Sequence, residues 1–424
     1  MKYLHLLFPI CLFLQTACDK EPPSVPVDPN EPKKDSLPAN VVWAKGIVQD
    51  TSEVVVGFVK TTATQVIYVQ YGKQGDKAVM ARNLKTGASN WTWGDPKVLG
   101  GGQITALEIE GDKLVVQSWQ DLFVLDINTG QTIWHADVRP QGDCAYPRTS
   151  VINGLIYYVT NDCEKGRVFC RLWRTPISVF QPQEVFLLNA ETPIRGDSGW
   201  HYSIGSPALW LHPERGDSIL IFQTRAFKGN VLANKADLFA FSLKDKSLLW
   251  KVDSIAKEGY SSVHVPIISG NDIYHIGHFS VQKVDALTGK VLWSSQFLDP
   301  SELFSFTGIT LGSNGKIYAY PGSDYLYALD SQTGKLVWKA DLECCGVTGN
   351  IHLANNKLYF IAPPNFYTVN AETGATLDKF PSGLKKGPYK TEFKQFATAV
   401  PVPGVANQMI AFDSYFIMAL TLKN

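Results

Sequence analysis

Short apolar runs rich in Val, Ile, Leu, Tyr and Phe recur along the chain, joined in pairs by turn residues. LVVQSWQDLFVLD (114–126), IYAYPGSDYLYALD (317–330) and LYFIAPPNFYTVN (358–370) each show two such runs around a turn, the pattern of an antiparallel hairpin. Another short apolar run precedes each hairpin. A stretch close to a formula follows it. In ALDSQTGKLVW (328–338) a strand closes on Asp330, turns at Thr333-Gly334 and resumes into Trp338. The same pattern carries Gly87 with Trp91, Gly130 with Trp134 and Gly289 with Trp293. FSLKDKSLLW keeps Trp250 but has Lys246 in the Gly position, and VNAETGATLD keeps Gly374 but has Asp378 in the Trp position. LNAETPIRGD keeps only the first half, with Pro193 at the Gly position. These seven turns are spaced 43, 63, 53, 43, 45 and 40 residues apart, so one supersecondary unit is repeated. The unit is predicted to be four antiparallel strands, A to D, with the formula between C and D.

The residue types suit that place. Asp or Asn closing strand C can accept hydrogen bonds from the turn backbone. Gly supplies a positive φ, and Trp buries a large apolar face while its indole N–H finds an acceptor. The last hairpin, MIAFDSYFIMALTL (409–422), has no strand D after it, whereas VVWAKGI (41–47) matches a strand D with Trp43 in the Trp position. Joining the ends gives eight units in a closed ring, which hides the sheet edges. The predicted fold is all-β: an eight-bladed β-propeller of four-stranded antiparallel blades over 41–424, closed by the N-terminal strand. Trp43 is expected beside Phe412 and Phe416.

The start of the chain adds a location. Residues 1–17 read as an export signal, with Lys2 at the basic start and an apolar stretch from Leu4 to Leu14. Leu14-Gln15-Thr16-Ala17-Cys18 resembles a bacterial lipobox, departing from it at Gln15, which implies acylation of Cys18 by more than one chain. Residues 18–40 are rich in proline and poor in large apolar groups, the composition of a tether. Asp19-Lys20-Glu21 resembles the acidic surface-export tag of some Gram-negative lipoproteins. The expected location is the outer membrane or cell surface. Lys plus Arg and Asp plus Glu balance at 39 each, so the charge total points to no nucleic-acid partner.

In such blades the A–B and C–D connections emerge on one face of the ring, and the B–C and D–A connections on the other. The formula turns are short, so the second face is expected to carry the variable loops. These are 161–183 and 224–237 between strands B and C of the third and fourth blades, and 135–148, 196–205, 294–306 and 378–397 between blades. Function on a regular scaffold concentrates in such loops. Trp173, Trp200, Tyr202 and Tyr389 are the candidate partner-binding aromatics there. Cys163 and Cys170 are a candidate disulfide pair, with Cys144 in the preceding loop able to compete for either. Cys344 and Cys345 are adjacent in the chain. No cysteine or histidine spacing fits a metal site, and no G-x-S-x-G, P-loop or H-E-x-x-H motif marks a catalytic residue.

The formula A-x-D-x-x-T-G-x-x-x-W resembles the PQQ-type propeller repeat, from Trp43 to Leu422. Two branches of that superfamily carry different implications. Quinoprotein dehydrogenases hold pyrroloquinoline quinone and calcium on the propeller axis; BamB-like lipoproteins are non-enzymatic scaffolds of outer-membrane assembly. Cys344-Cys345 favours the first branch, because alcohol-oxidising quinoproteins place an adjacent disulfide against the quinone. The lipobox, the tether, the eight-blade length and the absent calcium and base residues favour the second. The expectation is a monomeric, cofactor-free, lipid-anchored scaffold with a protein partner in the envelope, such as an outer-membrane assembly component.

Overall fold

Strands B and C of each unit are apolar at nearly every position because each blade is packed on both of its faces. Val66–Val69, Leu122–Leu125, Ile156–Val159 and Leu358–Ala362 are all but fully buried. The computed structural model describes residues 37–422 except 48–54, 72–76, 95–103, 139–143, 162–169, 189–199, 229–230, 257–264, 278–279, 297–305, 322–323, 344–345, 387–388, 395–396 and 406. Among the described residues it has one antiparallel sheet per blade, eight in all, and one further two-stranded sheet. Blade 1 runs Val55–Thr61, Gln65–Tyr71, Lys77–Asn83 and Ser89–Trp93, and blade 2 Ile104–Glu110, Lys113–Ser118, Asp121–Asp126 and Thr132–Asp137. Blades 3, 5, 6 and 7 repeat this order. In blade 8, Val41–Gly46 lies beside Phe416–Thr421 as the outer strand, which closes the ring.

One backbone bond recurs in every blade. The N–H just after the last residue of strand C donates to a carbonyl in the A–B turn, as in Ile127 to Asp112 at 3.0 Å and Ser331 to Gly315 at 2.9 Å. In blade 8 the same bond joins Leu422 to Asn407 at 2.8 Å. In blades 1 to 7 the two short turns are thus locked together on one face.

The formula residues act across blade boundaries. Asp330 Oδ1 accepts from the N–H of Thr333 and from its hydroxyl, both at 2.7 Å, and Asp126 does the same with Thr129. The threonine hydroxyls hold the carboxyls of Asp126 and Asp330 below the usual carboxylate range. Each formula Trp donates its indole N–H to the next blade's C–D turn: Trp43 to Leu84 O (3.1 Å), Trp91 to Ile127 O (3.0 Å) and Trp338 to Ala371 O (3.1 Å). The ring of that Trp lies against the next blade's Gly. A Cβ on Gly130 would sit 2.6 Å from Trp91, and one on Gly334 2.6 Å from Trp293. Glycine is therefore required twice, for φ near +70° and for the approach of the indole. Blade 4 bears this out: Lys246 holds the same turn at φ +52°, and strand D of blade 3 (Gln183–Leu188) brings no Trp against it.

Strand D carries a β-bulge one residue before the Trp position in all eight blades, at Val42, Asn90, Ile133, Val185, Leu249, Leu292, Val337 and Leu377. A bulge re-aims the following side chain. Here it turns the Trp into the next blade.

Blade 3 departs from the expected boundaries. Its strand C is Cys170–Pro176 and its strand D is Gln183–Leu188, so the C–D turn is the ISVFQP segment at 177–182 and not LNAETP. Trp134 donates to Ile177 O at 2.9 Å, and Phe180 packs on its ring where blades 1, 2, 5, 6 and 7 have Gly. Pro193 lies outside the described residues. The insertion expected over 161–183 shrinks to the segment between Asn161 and Cys170. Trp43 shares a buried cluster with Phe412, as expected, while Phe416 belongs to the cluster on the other side of blade 8. Leu37, near the end of the expected tether, packs against that second cluster.

Candidate functional site

Strand A begins on the face that carries the B–C and D–A connections, so the channel opens there between the first residues of the eight innermost strands. Three features build up this loop face. The first is blade 4. Its B and C strands, Ser218–Lys228 and Val231–Ser242, run on past the length of the other blades, and Trp200–Ile204 pairs with the extension. The segment expected as a loop at 224–237 is thus a continuation of the hairpin. Four added residues at about 3.3 Å each raise it by about 13 Å.

The second is the connection from blade 7 to blade 8. It is a packed flap: Leu384 and Phe393 are buried between the blades. Ser382 donates to Thr391 O at 2.7 Å, and Thr391 donates to Asp413 Oδ2 at 2.7 Å. Asp413 also accepts from the N–H groups of Tyr415 and Phe416. Burial raises its pKa despite these bonds. The flap presents a small hairpin, Lys385–Lys386 against Tyr389–Lys390.

The third is a cavity of about 440 Å³ at the channel mouth, lined by Val265, Ile267, Gly308, Ile309, Tyr320, Val347, Gly349 and Asn350. These residues start the innermost strands of blades 5, 6 and 7, apart from Tyr320 on strand B of blade 6. Gly308 leaves room for the Tyr320 ring, and Gly349 has φ +81° where strand A of blade 7 breaks register. Burial pushes the Tyr320 phenol up to about 12. His352, on the same strand as Gly349, faces Ala399 O of blade 8 at 2.9 Å, and burial lowers its pKa. Among the described residues no group of three or more His, Cys, Asp or Glu could hold a metal ion.

The structure separates the residues singled out from sequence. Trp200 and Tyr202 are on the raised strand of blade 4 and Tyr389 is on the flap hairpin, all on the loop-bearing side. Trp173 is in the middle of strand C of blade 3, half-buried, with its indole donating to Thr160 Oγ1 at 2.8 Å. Cys170 is buried between blades 3 and 4. Cys163, Cys344, Cys345 and Cys18 lie outside the described residues. The cavity was missed because its lining comes from three blades; the only local signal was the presence of Gly308 and Gly349 at strand starts.

A family model described as outer membrane protein assembly factor BamB matches residues 40–174 and 277–378, more than half of the chain. The chain belongs to this family. The unmatched middle of this BamB-family chain covers the end of blade 3, the lengthened blade 4, where the formula is weakest, and the first two strands of blade 5. A curated relative, the quinohemoprotein alcohol dehydrogenase ADH IIB of Pseudomonas putida, is 38% identical over 64 residues. That match covers 13% of this chain and 9% of the relative, so the BamB-family chain spans under a tenth of that protein. Among solved structures, Saccharomyces cerevisiae Sqt1 aligns with a TM-score of 0.61 at 11% identity, covering 91% of this chain and 99% of Sqt1. Quinohemoprotein alcohol dehydrogenase from Comamonas testosteroni aligns at 0.59 and 12% identity, covering 91% and 77%. At these identities the likeness is one of fold.

Proposed function

We propose that the protein is an exported, lipid-anchored, non-enzymatic scaffold of the bacterial cell envelope that holds a protein partner on its loop face. One observation carries the reading: the two faces of the ring are built differently. On one, seven pairs of short turns are locked by the same backbone bond, which recurs at the end of strand C in blade 8. On the other, the raised blade 4, the packed flap and the cavity mouth break the repeat. Interfaces draw their energy from a few aromatic and Arg anchors in a polar rim. Only the second face offers shape for that. Family membership supports an outer-membrane assembly component as partner, and the lipobox-like Leu14 to Cys18 supports the anchor.

The dehydrogenase reading has the ADH IIB match in its favour. It would require pyrroloquinoline quinone with calcium at the axial cavity. The quinone's carboxylates need cationic or multiple N–H donors, and calcium needs carboxylate oxygens. The described lining has one amide side chain, Asn350, one neutral phenol, Tyr320, and no charged group. These residues do not fit the group, and no oxidation step is assigned to them.

The test is co-purification from detergent-solubilised envelopes. Trp200→Ala or Tyr389→Ala should weaken capture of the assembly component by about 2 kcal/mol for a true anchor. Lys290→Glu and Lys335→Glu, on the short-turn face, should leave capture intact. Capture lost in the lysine variants and kept in both aromatic ones would put the partner on the wrong face. Cys18→Ala should leave the membrane fraction, and its retention there would refute the anchor.

A further inference from the structure

We propose that the cavity at the loop-face mouth of the channel is a binding site for an uncharged, predominantly apolar small molecule, held by Ile267, Ile309, Val347 and Tyr320 and oriented by the Asn350 amide. This goes beyond the scaffold reading and does not depend on it. At about 440 Å³ the cavity falls in the size range of small-molecule sites. The ring makes the space by breaking its own pattern. Blade 5 contributes an inner strand of only three residues, Ile267–Ser269. Blade 6 has Gly308, whose missing side chain admits the Tyr320 ring to the lining, and blade 7 bends at Gly349 beside Thr398. The result is apolar surface left facing water. Val265 is 51% exposed at the rim, and Ile267 and Ile309 are half-buried.

Chemistry selects the ligand. The exposed apolar side chains of the lining favour replacement of poorly ordered water by an apolar group. A charged ligand would lose its hydration without finding a counter-charge among the described lining residues, which is costly. Burial keeps the Tyr320 phenol neutral across the physiological range. Asn350 is exposed at the mouth, so its amide can meet one polar group of a ligand whose apolar body lies deeper.

The experiment is calorimetric titration of the full chain with benzyl alcohol, indole, 2-naphthol and 1-hexanol, and with the anion 2-naphthoate. At least one neutral probe should bind at a single site with a negative heat-capacity change, the mark of apolar burial. 2-Naphthoate should bind about tenfold or more weakly than 2-naphthol. Ile309→Trp should fill the cavity and abolish binding. If that variant fails to fold, Val265→Asp, at an exposed rim position, should weaken the neutral probes about tenfold through the added charge. The inference is overturned if no neutral probe binds saturably, if 2-naphthoate binds as well as 2-naphthol, or if Val265→Asp leaves neutral binding unchanged.

Discussion

The double demand on the formula glycine can be isolated in blade 2. Gly130 and Gly111 both have positive φ, +71° and +60°. A Cβ on Gly111 would meet nothing within 4 Å, whereas one on Gly130 would lie 2.6 Å from Cε3 and 2.7 Å from Cδ2 of Trp91. Gly111→Ala should therefore cost only the left-handed backbone term, about 1–2 kcal/mol. Gly130→Ala carries that term and must also move an indole that is 8% exposed and tied to Ile127 O at 3.0 Å. Overpacking of this kind adds about 1–3 kcal/mol, for a total of about 2–5 kcal/mol. The measurement is urea-induced unfolding followed by far-UV circular dichroism, on both single variants and on Gly130→Ala in a Trp91→Leu background. With the indole gone, the cost of Gly130→Ala should fall to that of Gly111→Ala, and the cycle gives the coupling directly. Equal costs for the two single variants, or a Gly130→Ala cost that survives loss of the indole, would refute the claim that glycine makes room for tryptophan.

Two further predictions follow from the closure of the ring. Trp43→Ala removes the buried indole and its bond to Leu84 O, and should cost about 3–5 kcal/mol; an unchanged melting temperature would argue against closure by 41–46. His352 has its pKa lowered by burial, so its contribution to stability is complete above the ordinary histidine range and is lost as pH falls below it. The melting-temperature advantage of wild type over His352→Gln should shrink between about pH 7.5 and about pH 5, and a pH-independent gap would exclude this histidine as the cause.

What the sequence alone determined was the repeated part of the molecule. The Asp–Thr–Gly turn, the hairpins and the strand at Val41–Gly46 are set by chemistry within a few residues, so blade count, strand order and closure could all be read before any contact was known. Even the face that carries the longer connections follows from strand order alone. The tertiary structure decided whatever depends on residues about one repeat apart. Gly130 needs Trp91 behind it, and Lys246 is tolerated because no Trp stands behind it, a fact about blade 3 that blade 4's own sequence does not contain. Blade 3 was misplaced for the same reason: its turn has Pro176 and Phe180 where Asp and Gly were sought, and Trp134 of the blade before identifies it. The bulges are invisible locally because a one-residue shift is defined only against the partner strand. The cavity exists only because the starts of three inner strands, separated by about forty residues each, fail to fill one space.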